Sequence, residues 1–280
     1  MRGALFALAL LPWAGMASAQ SMRPFSTFRQ QHGETRLRAN LQYAAGVLRL
    51  SAGPAAELYR MDVSYDQDRF VPRSEYDAAR GEVLLGVETA GRGGLRVVSQ
   101  NQLRQIAHVS FSPDIDLALD VGLGAVDAEL ELGGLRLTDL NLETGASRAV
   151  IRFSQPNGAR CRSAQFSAGA AELSVIGLGN SRCDRIDFQG GVGKVALDFG
   201  GSWTASSEVE VRMAMGELTL RLPRQVGVRI SLDKFLSAFE PAGLVRRGDS
   251  FESPGYDRAS RHLDIAVTTA VGQVRVEWEK

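Results

Sequence analysis

A pair of small residues separated by one position recurs along this chain at a nearly constant interval. It stands at Gly122-x-Gly124, Gly145-x-Ser147, Gly169-x-Ala171, Gly191-x-Gly193 and Ala214-x-Gly216, with spacings of 23, 24, 22 and 23 residues. Each pair is followed by alternating apolar and polar residues: AVDAEL, RAVIRF, ELSV, KVALDF and ELTLRL. Outlying copies occur at 44–50 (AAGVLRL) and 270–276 (AVGQVRV). Alternation places successive side chains on opposite faces, the pattern of a strand with one buried side. A fixed period of this length means a repeated unit that buries its apolar face only against its neighbours. Together these features predict an all-β solenoid with coils of about 22–24 residues. The small residues fall in phase with the apolar ones that follow, Gly122 and Gly124 with Val126, Ala128 and Leu130. They are therefore expected to point inward, where the interior is narrow or the chain bends. A leucine-rich-repeat-like solenoid is the alternative, prompted by LGGLRLTDL at 132–140. That repeat requires an Asn ladder and a helical segment per turn, and neither recurs.

Stacking has two further consequences. The outward position after each small pair reads Ala125, Arg148, Glu172, Lys194 and Glu217. From Arg148 onward the signs alternate, so coils about 4.8 Å apart would set opposite charges side by side. A slip of one residue would turn these charges inward, which makes the row a register device. Cys161 and Cys183 each lie eight residues before Gly169 and Gly191. One coil apart, they fall within the Cα separation a disulfide requires, and an exported chain would oxidise them.

Residues 1–19 (MRGALFALALLPWAGMASA) have a basic start, a short apolar core and Ala17-Ser18-Ala19 as a small-x-small site. This is the layout of a secretory signal peptide, and the apolar run is too short to span a bilayer. Residues 20–36 are polar and expected to be poorly ordered, and 37–115 form an N-terminal β cap region. Residues 116–223 carry the repeat coils, and 224–280 the C-terminal coils with a loop insertion at 240–256. A Tyr-Asp pair precedes a strand twice, at Tyr76-Asp77 and Tyr256-Asp257. The preceding stretches, 64–75 and 240–256, read as loops, the second a cover for the last coil. Leu232, Phe235, Leu236 and Phe239 fit helical spacing, a turn or two stopped by Pro241.

Lys+Arg and Asp+Glu are equal at 32 each, which gives no global field for nucleic acid or an anionic membrane. No nucleophile elbow, phosphate-binding loop, dinucleotide fingerprint or metal-spaced cluster occurs, so no catalytic, cofactor or metal residue is assigned. Asp184, Arg185, Asp187, Asp198 and Arg221 offer acids and arginines on nearby coils. No two carboxylates were expected to recur at one outward position of successive coils, and ordinary solvated charge is the preferred reading. Trp203 is placed on a loop between coils, either packed over the edge or available to a protein partner or a sugar ring. Trp278 falls in the inward phase of the last strand, as core or cap. Arg247-Gly248-Asp249 spells an attachment motif of only three residues, a match that arises freely by chance.

MGELTLRLPRQVGVRI (215–230), with the spaced G-x-G coils before it, resembles the toast-rack family of envelope proteins. LQYAAGVLRLSAG (41–53) and VPRSEYD (71–77) are similar to the N-terminal part of such proteins. That family includes the LiaF-like cell-wall-active antibiotic response proteins. The resemblance implies a single-stranded right-handed β-helix-like fold and a place at the cell envelope. LiaF-like members are membrane-anchored and restrain a sensor kinase, whereas this chain has a cleavable leader and no apolar run long enough for a membrane helix. The expectation is an exported, non-catalytic interaction module without cofactor, whose partner is an envelope protein or a cell-wall component. The alternative is a carbohydrate-binding or carbohydrate-active β-helix protein.

Overall fold

The computed structural model describes residues 21–90 and 105–279; the signal peptide expected at 1–19 lies outside the described residues. They contain sixteen strands and no α-helix. In chain order these are β1 (Met22–Gln30), β2 (Arg36–Ala52), β3 (Glu57–Asp66), β4 (Phe70–Asp77), β5 (Glu82–Thr89), β6 (Ile106–Phe111), β7 (Asp116–Glu131) and β8 (Arg136–Thr144). There follow β9 (Arg148–Arg152), β10 (Cys161–Ile176), β11 (Cys183–Asp198), β12 (Ser207–Leu222), β13 (Gly227–Glu240), β14 (Val245–Arg247), β15 (Ser250–Glu252) and β16 (His262–Trp278). The body is a β-solenoid. Parallel strands stack in the order β2, β7, then β8 with β9, then β10, β11, β12, β16 and β13.

Apolar columns run through the stack. Ala39, Leu119, Leu140, Ala164, Ile186, Val209, Ile265 and Ile230 are register partners on successive coils, and all are buried. Burial of such continuous columns is the main stabilisation a solenoid has, since each coil touches only its neighbours. The turns stack as well. Asn157 is buried in one of them, donating to the carbonyls of Leu137 and Ser181 and accepting from the Leu137 amide.

The small pairs lie at a corner of each coil rather than pointing uniformly inward. In β7 the buried positions are Leu117, Leu119, Val121 and Leu123, then Val126, Ala128 and Leu130. The inward phase shifts by one residue at Gly124-Ala125, so Gly122 belongs to the outward set of the first arm. The same shift occurs in β10 between Ala168 and Ala171, and in β12 between Met213 and Leu218. At the glycine positions of the corner the coils approach so closely that a side chain does not fit. A Cβ on Gly124 would stand 2.2 Å from the Ala44 carbonyl oxygen, and one on Gly191 2.7 Å from that of Gly169. One ladder, Gly193, Gly216 and Gly272, has φ of 154°, 130° and 138°, which residues with side chains rarely adopt.

Several local expectations change. The polar segment 20–36 contains β1, which pairs antiparallel with β3 from Met22 to Gln30 and closes the N-terminal end. Residues 64–75 are not a loop: β4 pairs antiparallel with β5 along its whole length. Residues 232–239 are not helical but continue β13, since their backbone pairs with β16 as far as Glu240. Spacing alone misled there, because Phe235 and Leu236 point outward at the corner. The 240–256 insertion holds the hairpin β14–β15, which covers β13 only at Arg229, Ile230 and Ser231. Sheet order also departs from chain order: the last strand, β16, lies between β12 and β13.

Candidate binding surface

The disulfide joins Cys161 to Cys183, which are register partners at the starts of β10 and β11 with Cα atoms 4.2 Å apart. Both residues are buried. The bridge is structural and presents no reactive thiol.

The charged row runs up the second arm. Its first member is Asp127 rather than Ala125, because β7 pairs with the next coil at an offset of 21 residues on both sides of the corner, two fewer than the 23 between Gly122 and Gly145. Asp127, Arg148, Glu172, Lys194 and Glu217 are successive register partners. Arg148 Nε donates to Glu172 at 2.9 Å, and Lys194 Nζ lies 3.6 Å from Glu217. The Arg148 hydrogen bond and charge hold the Glu172 carboxyl below its ordinary range. A depressed carboxylate contributes stability above its unfolded pKa and loses it as pH falls through the folded value. The row is therefore complete at neutral pH and weakens in acid, below the ordinary carboxylate range. These side chains are largely exposed, so each pair contributes little. Arg148→Glu would set like charges beside both Asp127 and Glu172. We expect a small fall in melting temperature at neutral pH and low salt, shrinking in high salt. Thermal unfolding at two ionic strengths checks this; a fall of equal size in both would show that packing, not charge, was lost.

The first arm carries the more developed surface. Asn40, Asp120, Asn141, Gln165, Asp187 and Glu210 are register partners on six successive coils. Two carboxylates thus do recur at one outward position, Asp187 and Glu210, contrary to the sequence expectation. Arg185 lies between them, 2.9 Å from Asp187 and 3.1 Å from Glu210, and with Arg212, which also pairs with Glu210, it balances their charge. Asp184 pairs with Arg160, and Arg221 with Asp198 and Glu277. These acids are engaged with arginines and do not converge on a common point. Counting four residues back from Gly191 and Ala214 reaches Asp187 and Glu210, so the match was legible.

Beside this ladder a groove of about 900 Å³ crosses the coils at the corner. Gly122, Gly124, Gly145, Gly169 and Gly191 lie along it, and Gln42, Glu143, Ser167 and Gln189 line it. Gln42, Gly122, Glu143, Ser167 and Gln189 form one register column, so the lining repeats with the coil. Glycine here leaves backbone accessible, and the polar column supplies donors and acceptors at intervals of about 4.8 Å.

Trp203 takes no part in this surface. It is 9% exposed, packs on Gly179 and donates its indole N–H to the Phe199 carbonyl at 2.7 Å. Turn packing claims the ring, the first of the two placements expected for it. Trp278 is half-buried, donating to the Ala242 carbonyl. Arg247-Gly248-Asp249 occupies the exposed turn of the β14–β15 hairpin. The duplicated Tyr-Asp motifs precede β5 and β16: Arg29 stacks over Tyr76, and Arg229 over Tyr256. Tyr256 donates to Asp264 at 2.7 Å, and burial with this bond pushes its pKa up to about 12. Asp77 accepts from the amides of Ala79 and Arg80, the turn that launches β5.

The stacked, polar-faced coils define a β-solenoid whose long outer surface is its most developed feature. Residues 18–176, more than half of the sequence, match the family described as the N-terminal domain of toast_rack, DUF2154, and the chain belongs to that family. The match ends with β10, while β11, β12 and β16 continue the same register beyond it. Among solved structures, a protein from Clostridium sporogenes provisionally described as a cell adhesion protein is similar, with 18% identity and a TM-score of 0.48. The alignment covers 92% of this chain and all of that one. A provisionally described adhesin from Bacteroides fragilis aligns at 8% identity over 91% of this chain and 97% of its own, with a TM-score of 0.35. A provisionally described lipid binding protein from Parabacteroides distasonis aligns at 10% identity over 93% and 98%, with a TM-score of 0.33. No curated protein sequence matches the chain. Among the described residues no helix is long and apolar enough to cross a membrane.

Proposed function

We propose that this chain is an exported, non-catalytic module of the cell envelope that binds an extended partner along its first arm. The observation that carries this reading is the corner groove, where one polar column and a glycine track repeat coil by coil. A ligand lying along the solenoid axis would meet similar chemistry at each step, which favours an extended chain over a compact small molecule. The leader at 1–19, the disulfide and the toast-rack family support export to the envelope. Pairing of Asp187 and Glu210 with Arg185 favours binding over hydrolysis where these two carboxylates recur.

A glycan of the cell wall is the second reading of the same groove, favoured by the amides of Gln42, Asn141, Gln165 and Gln189 beside its glycine track. The test is proximity crosslinking of the tagged, exported protein in intact cells, read by mass spectrometry, for wild type and Gln189→Trp. Gln189 is exposed, so the substitution obstructs the groove without disturbing the core. We expect recurrent envelope-protein adducts that fall at least several-fold in the variant. Glycan fragments that depend on Gln189 in the same way would select the second reading. Adducts indifferent to the substitution would remove the groove from both.

A further inference from the structure

The two ends of the solenoid are closed unequally. At the N-terminal end, β4 runs antiparallel along β5 and β3 along β6, so both arms of that coil carry a covering strand. At the C-terminal end, β15 covers β13 only at Arg229, Ile230 and Ser231. The opposite edge of β13 pairs with β16 as far as Glu240. Residues 232–240 therefore present an edge with no partner strand among the described residues. In its middle stand Phe235 and Leu236, 78% and 66% exposed. Phe235 lies opposite Ala270, in the corner column that Gly169, Gly191 and Ala214 occupy on earlier coils. Leu236 ends an exposed apolar row formed with Val192, Met215 and Val271, its register partners in sequence across the coils. A long free edge bearing large apolar side chains is what monomeric sheet proteins avoid.

We propose that two copies of this chain join end to end through antiparallel pairing of β13 with β13, about a two-fold axis at Leu236. Three features select a second copy as the occupant. First, the covering strands at the described ends are antiparallel, and a two-fold necessarily pairs a strand with itself in that sense. Second, β13 bends at its corner, and a two-fold along the bisector of the bend exchanges the two arms. Pairing can thus continue around the corner from 232 to 240, longer than an average strand. Third, the side chains suit this register. Asp233 would face Phe239, Lys234 would face Ala238, and Glu240 would face Leu232, so no like charges stand opposite. Lys234 falls diagonally beside Glu240 of the second copy, an attractive placement. The apolar corner row would then run unbroken from one copy into the other.

The axis passes through Leu236, so Leu236→Cys should form an intermolecular disulfide under mild oxidation, while the exposed Val245→Cys, outside the pairing, should not. Sedimentation velocity of the wild-type mature chain should show a concentration-dependent dimer. Phe235→Glu with Leu236→Glu should shift it to monomer at least tenfold, with an unchanged thermal melt. A wild type that remains monomeric at the highest attainable concentration would overturn the proposal. So would equal crosslinking of Leu236→Cys and Val245→Cys, or a dimer that persists in the double-Glu variant. A monomer that binds phosphatidylglycerol vesicles through Phe235 and Leu236 would overturn it in favour of a lipid surface. The cysteine comparison keeps the test decisive if the charged variant fails to fold.

Discussion

Gly216→Ala is expected to be among the most damaging single-methyl additions this fold can receive. Gly216 has a φ of 130°, and a Cβ there would stand 1.9 Å from the carbonyl oxygen of Gly193 on the preceding coil. The obstacle is backbone, held in turn by the ladder to β10, and cannot swing aside. Gly272 meets the Gly216 carbonyl in the same way, so a displaced coil disturbs both neighbours. Strain at such a φ costs of order 1–3 kcal/mol alone. With the clash we expect a loss of roughly 3–5 kcal/mol, at the exceptional end for one substitution. Gly248→Ala provides the control. Its φ of 58° is also positive, but nothing lies within 4 Å of the added Cβ. It should cost only about 1–2 kcal/mol. Urea unfolding followed by circular dichroism separates the two; equal midpoints would show that the coils can part at the corner without penalty.

The small pairs mark a close approach at a corner rather than a uniformly inward face. Their period and the alternation around them are local properties, and they gave the stacking, the coil length and the partners one coil apart. Cys161 and Cys183 are a pure case, since counting from the glycines is enough to pair them. The inward phase is different. It reverses at Gly124-Ala125, and a rule of strict alternation carried through the corner assigns Gly122 to the wrong face. Asp127 stands in the place expected for Ala125 for a separate reason: this coil is 21 residues long in register, so Gly124 rather than Gly122 is the counterpart of Gly145. Nothing local marks the position of β16 between β12 and β13, because alternation within a strand specifies its buried face and not its neighbours. Phe235 and Leu236 show the cost of ignoring it. At helical spacing they resemble one buried stripe with Leu232 and Phe239, yet in β13 they stand at the outer corner. Trp203 stands on the loop between coils where the sequence placed it, but its partners, the Phe199 carbonyl and the space over Gly179, leave no periodic mark.

The legible groove and the illegible edge follow from one physical cause. Coils that must pass the corner closely need Gly or Ala there, which leaves a shallow track on the outside. The first arm beside the track is free to carry Asn, Asp, Gln and Glu, because its outward positions meet only solvent and the next coil. Beyond β13 no further coil follows among the described residues, and the same column accepts Phe235. A pattern repeated for packing therefore becomes a binding surface along the sides and an interaction edge at the end.

Replacing both cysteines by alanine is expected to cost about 3 kcal/mol, from the closure of a loop with a sequence separation of 22. Its position gives the loss a particular form. Cys161 opens β10, the last strand within the toast-rack N-terminal match, and Cys183 opens β11, the first strand beyond it. Stability in a solenoid is the sum of coil terms and nearest-neighbour interfaces, so cooperativity fails first where one interface is weakened. The bridge fastens that interface covalently at one end, where both side chains are buried. Without it, the coils from β11 onward should open before β2 and β7, which keep each other and the antiparallel cap. Native-state hydrogen exchange on the Cys161→Ala/Cys183→Ala chain reads this directly. Protection in β11 and β12 should fall more than in β2 and β7, and the global midpoint should drop with it. Uniform loss across all strands would mean that the solenoid unfolds as one unit and that the bridge only restrains the unfolded chain. A loss below about 1 kcal/mol would argue that stacking alone fixes the register, with the crosslink contributing little of its loop entropy.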